Sequence, residues 1–134
     1  MYMLDTNILI YAMRHPHDAL IDKLIDHAGN DICISTITLA ELELGVLRSS
    51  DPLRNRKALM AILAGVDILF FDNVAATEFA KIKDALLRAG TPIEDMDILI
   101  GAHARSCGFI LVTDNEKHMK RIDGLRIEDW VERK

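Results

Sequence analysis

The amino-acid sequence predicts an α/β protein with a central parallel sheet that is covered by helices on both faces. Short apolar runs that suit strands alternate along the 134 residues with longer segments of helical period. Such alternation is typical of parallel sheets, because the crossover between two parallel strands usually passes through a helix packed on the sheet. The third observation is that no repeat, low-complexity tract or linker divides the chain, so we expect a single domain over residues 1–134.

The predicted elements follow in order. Strands are expected at 2–4, 31–36, 66–71, 109–113 and 126–129, and the last of these has the weakest strand pattern. Helices are expected at 7–13, 18–28, 37–47, 52–64, 74–89 and 94–106. Gly65, Gly90 and Gly108 come just after helical runs, where a glycine ends a helix by adopting a left-handed conformation. Pro16 and Pro52 stand near helix starts, where proline is tolerated.

Composition narrows the class of protein. Half of the residues are hydrophobic, 28% are charged, and no apolar run approaches the ~20 residues that span a bilayer. The first residues lack the basic segment of a signal peptide, and Cys33 and Cys107 lie in apolar stretches without metal-ligand spacing. We therefore expect a cytoplasmic protein with no membrane contact, whose cysteines are reduced core residues.

The net charge of -5 argues against binding nucleic acid through bulk electrostatic attraction. Acids gathered around metal ions would lower the net charge without excluding a polyanionic substrate, because bound cations invert the local field. Two local groups of basic residues, each also typical of a solvated helix face, are Arg48, Arg54, Arg56 and Lys57, and then Lys117, Lys120 and Arg121.

Four acids lie near the ends of predicted strands and helices. Asp5 comes directly after the first strand, and Glu41 lies in an early turn of the helix after the second. Asp97 lies in the first turn of a later helix, and Asp114 comes directly after the fourth strand. Functional sites of parallel sheets lie beyond the carboxyl ends of the strands, so we expect these four acids to converge at one edge.

Each acid also has a structural explanation. Thr38 and Glu41 fit a capping box, Asp97 could complement a helix dipole, and Asp114 with Asn115 could form a turn. None of these explanations predicts that the acids meet at the same edge of the sheet. Their convergence therefore favours a site.

Carboxylates held close together raise one another's pKa unless a cation compensates them. Oxygen ligands without a Cys or paired-His set suit Mg²⁺ or Mn²⁺, which activate water for phosphoryl or phosphodiester hydrolysis. Four polar residues could orient the acids by hydrogen bonding to them or to metal-bound waters: Thr6, Asn7, Thr113 and Asn115. His103, on the helix of Asp97, suits an ordinary partly buried histidine. The residues alone leave the substrate open.

Four stretches together resemble the PIN-domain ribonucleases, and specifically the VapC toxins of VapBC toxin–antitoxin pairs. They are MLDTNILIY, ISTITLAELELG, GTPIEDMDILIGAHARSCGFILVTDN and the ending GLRIEDW. The resemblance runs nearly end to end, with the blocks in order. It implies a PIN-like three-layer α/β/α fold with about five parallel strands and Mg²⁺- or Mn²⁺-dependent cleavage of RNA.

The resemblance also implies roles. Asp5 and Asp97 are the principal metal ligands, and Glu41 is a third acid that binds metal directly or through water. Asp114 matches the family pattern least well, because VapC relatives can carry Asn at that place. Asp95 is an additional acid that the family pattern does not require. The implied partners are RNA, a second copy in a homodimer, and a VapB-type antitoxin whose tail enters the acidic groove.

Two other functions fit parts of the sequence. A phospho-acceptor receiver module also carries acids at strand ends, and Asp72 would be its acceptor, although no lysine directly follows the last predicted strand. A PIN fold kept only for binding a partner would need no catalysis, but the acid set is complete. A final ambiguity concerns Glu41 and Glu43, which project about 200° apart on a helix, so only one can face Asp5.

Overall fold

A computed structural model describes residues 1–132 and contains a five-stranded sheet with the strand order β3-β2-β1-β4-β5. All four pairs of neighbouring strands are parallel, which confirms the predicted fold class. The strands are β1 Tyr2–Leu4, β2 Ile32–Ser35, β3 Asp67–Leu69, β4 Ile110–Val112 and β5 Ile127–Glu128. The helices are α1 Thr6–Arg14, α2 Ala19–His27, α3 Thr36–Leu47, α4 Pro52–Leu63, α5 Asn73–Ala89, α6 Asp95–Cys107 and α7 Glu116–Met119.

Alternate residues of the central strands enter two separate cores, one on each face of the sheet. Leu4 of β1 and Ile34 of β2 pack in the cluster that contains the apolar residues of α1 to α4. Met3 and Cys33, their neighbours along the chain, pack in the cluster that contains those of α5 and α6. This period-2 alternation separates the two helical layers and explains why both strands are apolar along their length.

The elements differ from the sequence prediction mainly at their ends. Helix α3 begins at Thr36 because the hydroxyl of Ser35 accepts a hydrogen bond from the Ile37 N–H and caps the helix. Helix α1 begins at Thr6, with Asp5 as its N-cap. The sequence analysis did not predict α7, because its four residues are too few to show a helical period.

Two expectations about single residues held only in part. Gly90 and Gly108 end helices with φ of 69° and 70°, but Gly65 does not adopt a left-handed conformation. A Cβ at Gly65 would lie 2.5 Å from the Cβ of Ala28, so this glycine permits a close approach of two chain segments. Cys107 is exposed at the end of α6 rather than buried, whereas Cys33 is in the core and its burial raises the thiol pKa to about 12.

The topology places the ends of three adjacent strands side by side. β1 lies at the centre between β2 and β4, and the Asp5 N–H donates to the Val112 carbonyl across the strand ends. Side chains that follow β1, β2 and β4 therefore share one edge of the sheet. Over residues 1–132, no helix is both long enough and apolar enough to cross a membrane.

Candidate active site

Asp5 is the most constrained acid at this edge. Its side chain is 3% exposed, Oδ1 accepts from the Thr6 N–H at 2.8 Å, and Oδ2 accepts from the Thr113 hydroxyl at 2.8 Å. Burial raises the pKa of Asp5 to about 6, the two hydrogen bonds oppose the rise, and the charges of Asp97 and Glu41 add to it. The carboxylate is thus fixed in position while its negative charge remains poorly compensated.

Glu41 reaches the same place from α3. Its Oε1 accepts from the Thr6 hydroxyl at 2.7 Å, and the Thr38 hydroxyl lies 3.3 Å from that of Thr6. The capping-box explanation of Glu41 is therefore wrong, since Ser35 caps the helix and Glu41 bonds to α1 instead. Thr6 connects the two acids, because its N–H holds Asp5 and its hydroxyl holds Glu41.

Asp97 lies in the first turn of α6 and is half-buried. Burial raises its pKa, the charges of Glu94 and Glu41 raise it further, and His118 opposes them when its ring is protonated. The Asn115 amide donates to Asp97 Oδ2 at 3.3 Å. Asp97 and Glu41 therefore share one electrostatic environment with Asp5, although they come from different helices.

The neighbouring acid Asp95 differs from Asp97. It is exposed and forms an ion pair with Lys83 at 2.6 Å, away from the hydrogen bonds that join the other acids.

The connection from β4 to α7 contributes two polar side chains to the acids. Thr113 donates to Asp5, and Asn115 donates to Asp97 while its own backbone N–H bonds to the Thr113 hydroxyl. Asp114, between them, is half-buried. Asn7 is exposed and lines the open cleft beside Asp97. Its side chain makes no hydrogen bond to another residue within 1–132.

The donor set fits a hard divalent cation in its chemistry. Asp5, Glu41 and Asp97 offer only oxygens, and burial together with mutual repulsion raises the pKa of Asp5 and of Asp97. No group of three His, Cys, Asp or Glu side chains in residues 1–132 is close enough to enclose an ion. One or two carboxylates are the usual protein contribution to an Mg²⁺ site, where the ion keeps several waters.

Two cavities adjoin the acids. An open cleft of about 550 Å³ is lined by Asn7, Pro92, Ile93, Glu94, Asp97, Asn115 and His118. A mostly apolar groove of about 230 Å³ lies among α1, α3 and α4 and includes Glu41 and Gly45 in its lining. Glu41 thus faces the groove and Asp97 faces the cleft. The sequence analysis missed His118, whose only signal was its position three residues after Asn115.

Other predicted residues have structural roles. Asp72 caps α5 by accepting from the Ala75 N–H at 2.9 Å, and it follows the edge strand β3 rather than the central strand. This position explains Asp72 without a phospho-acceptor role. His103 is buried, with Nδ1 2.7 Å from the Ser35 hydroxyl, and burial lowers its pKa.

Comparison with known proteins finds related sequences over nearly the whole chain. The PIN domain family matches residues 2–125. The tRNA(fMet)-specific endonuclease VapC of Shigella flexneri is 38% identical over 129 residues, covering 96% of this chain and 97% of that protein. Ribonuclease VapC2 of Haemophilus influenzae is 40% identical over 130 residues, covering 97% and 98%.

Solved structures agree with this result. VapBC2 from Rickettsia felis, bound to a DNA fragment from its promoter, contains a chain with a TM-score of 0.92 and 36% identity, and the match covers 97% of this chain and 98% of that one. DNA-bound VapBC from Salmonella typhimurium gives a TM-score of 0.92 and 35% identity, with the same coverage.

Proposed function

This chain belongs to the PIN-domain family, among the VapC ribonucleases, and we propose that it is the toxin of a VapBC-type pair that hydrolyses RNA with Mg²⁺ or Mn²⁺. The observation that carries the proposal is the buried carboxylate of Asp5, held at the end of the central strand within electrostatic reach of Glu41 and Asp97. A rigid strand end is a suitable support for a group that must hold its position.

The side chains of the site have different proposed roles. Asp5 and Asp97 would hold the cation, with Glu41 and Asp114 binding directly or through water. When bound, Mg²⁺ supplies an acidified water and compensates charge on the phosphate. Thr113 and the Thr6 N–H fix the orientation of Asp5, and the Thr6 hydroxyl fixes one oxygen of Glu41 while leaving the other available. Asn115 holds Asp97 from the side of the cleft.

Metal dependence is the direct test of this function. Purified protein is expected to cleave cellular RNA in Mn²⁺ or Mg²⁺, to lose the activity in excess chelator, and to regain it when metal is restored. Sequencing of RNA ends after a short pulse of expression would identify the bond that is cut. Cleavage that persists at full rate in chelator would contradict the metal-dependent mechanism.

The proposed protein partner is a VapB-type antitoxin with an arginine that pairs with the site carboxylates through two hydrogen bonds. The apolar groove beside Glu41 offers a second contact, because a Cβ at Gly45 would meet nothing within 4 Å. Leu44 and Leu47, on the same helix as Glu41, are exposed. An apolar segment of a partner could therefore approach α3 closely next to the acids.

Antitoxin binding should abolish cleavage. We expect the chain to co-purify with the product of an adjacent short gene and the complex to cut RNA far more slowly than the free toxin. An antitoxin in which the arginine is replaced by Met is the control, and it should inhibit less. A complex that cuts RNA at the free rate would contradict this part of the proposal.

We further propose a cytoplasmic homodimer, which the family resemblance supports. Phe70 and Val74 beside the edge strand β3 are 81% and 56% exposed and offer apolar area for such a contact. Light scattering at several concentrations tests it.

A further inference from the structure

We propose that His118 distinguishes RNA from DNA, with Nε2 of its neutral imidazole accepting a hydrogen bond from the 2′-hydroxyl of a ribose beside the scissile phosphate. The inference rests on the proposed ribonuclease function and assigns to this chain a residue that contacts the substrate. His118 lies on α7, four residues beyond Asp114, and lines the open cleft together with Asp97.

A chain of hydrogen bonds fixes which ring nitrogen of His118 carries the hydrogen. The Asp97 carboxylate only accepts, so the Asn115 group 3.3 Å from it is the amide nitrogen. The carbonyl oxygen of Asn115 is then the atom 2.8 Å from His118 Nδ1. Because that oxygen also only accepts, Nδ1 is the donor, and the neutral ring keeps its free lone pair on Nε2.

Nε2 is open to the cleft. In residues 1–132, every fully buried side-chain nitrogen or oxygen has a hydrogen-bond partner. His118 is half-buried, and its hydrogen bond within that range is made by Nδ1 to Asn115. Nε2 is therefore not fully buried and is left as an acceptor on the neutral ring, on a residue that lines the cleft and is held by Asn115.

The chemistry of the acceptor selects the ligand group. Non-bridging phosphate oxygens only accept hydrogen bonds, so they do not pair with a lone pair on Nε2. A ribose 2′-hydroxyl donates, occurs at every nucleotide of RNA whatever the base, and is missing from DNA. The Asp97–Asn115–His118 chain joins His118 to the proposed metal site, so we expect His118 to meet the ribose that adjoins a phosphate bound at that site.

The test pairs one change in the protein with one change in the substrate. Single 2′-deoxy substitutions are moved along a short RNA that the parent protein cleaves, and kcat/KM is measured in Mn²⁺ for the parent and for His118→Ala. We expect one position beside the cleaved bond to lower the parent's kcat/KM about tenfold, the scale of one lost hydrogen bond whose partner stays unpaired. On unmodified RNA, kcat/KM of His118→Ala should be lower than that of the parent by the same factor. The 2′-deoxy substitution at that nucleotide should then lower kcat/KM of His118→Ala no further.

Two further measurements separate this proposal from others. A 2′-fluoro group cannot donate, so it should behave like 2′-deoxy with the parent protein. In an Asp5→Asn background, fluorescence anisotropy should show that 2′-deoxy substitution weakens binding of the uncut RNA, and that His118→Ala removes this difference. His17→Ala, a change at an exposed histidine between α1 and α2, should leave both factors at parent values.

Each outcome decides the question. A parent protein that cuts RNA but tolerates 2′-deoxy substitution at every position overturns the proposal and leaves the ribonuclease function intact. Equal losses for His118→Ala on unmodified and 2′-deoxy RNA also overturn it, because they indicate that the imidazolium binds a phosphate instead. A parent protein that cuts no RNA at all contradicts the proposed function itself.

Discussion

Asp5→Asn is expected to lower RNA cleavage below about one-thousandth of the parent rate while leaving a folded protein, on the scale of removing a key electrostatic group. The amide keeps the size of the side chain but removes the charge that would hold the cation. The amide oxygen can still accept from the Thr6 N–H, and the amide NH2 can donate to the Thr113 hydroxyl, which donates to Asp5 in the parent. The loss of cleavage would therefore come from the missing carboxylate charge and not from unfolding.

The same substitution should not destabilise the metal-free protein. Asp5 has a pKa raised from 3.8 to about 6, so the folded state holds its proton more tightly than the unfolded state. Its contribution to stability is fully present below about pH 4 and is lost as the pH rises through 6. Above pH 7 the ionised carboxylate costs up to about 3 kcal/mol, which the amide avoids in part.

Thermal melts and cleavage assays measure both effects. Without metal at pH 8, Asp5→Asn should melt at or above the parent temperature, and the parent's melting temperature should fall between pH 4 and 7 more than the variant's. Added Mn²⁺ should stabilise the parent more than the variant. Asp95→Asn, in the exposed acid paired with Lys83, is the matched control and should retain activity. Full cleavage by Asp5→Asn would remove this residue from the metal site.

Glu41→Gln is expected to lower cleavage at least ~100-fold, whereas Glu43→Gln should stay within several-fold of the parent. Glu41 accepts from the Thr6 hydroxyl beside Asp5. Glu43, two residues on, accepts two hydrogen bonds from the Arg56 guanidinium at 3.0 Å and 2.7 Å, which hold its pKa below its usual range. This pair is well exposed on the α3–α4 surface, where such ion pairs contribute little to stability.

Saturating Mn²⁺ makes the comparison of the two variants sharp, because a weakened metal affinity then contributes less to the difference. Both substitutions remove one negative charge and keep the size and shape of the side chain. They lie two positions apart on the same helix. If Glu43→Gln had the larger effect, the assignment of the site acid on α3 would be wrong.

The sequence by itself determined the parallel sheet and predicted where the candidate site lies. Apolar runs that alternate with helical periods required parallel strands covered on both faces, and parallel strands bring the residues after β1, β2 and β4 to one edge. Asp5 and Glu41 could be named from that rule, and Asp97 from its place in the first turn of the helix that leads into β4. The order of the four family-like stretches then indicated the PIN-domain family, which the comparisons confirmed.

Only the tertiary structure decided which side chains touch. Thr113 holds Asp5 from 108 positions away, and Thr6 holds Glu41 from 35 positions away. The close approach of Gly65 to Ala28 and the pairing of Glu43 with Arg56 likewise join separate elements. Patterns along the chain report the local period of each element, but such contacts depend on how the packed elements are rotated and spaced, which local periodicity does not contain. For the same reason the Asp97–Asn115–His118 chain, built from α6 and the β4–α7 connection, became visible only in the folded molecule.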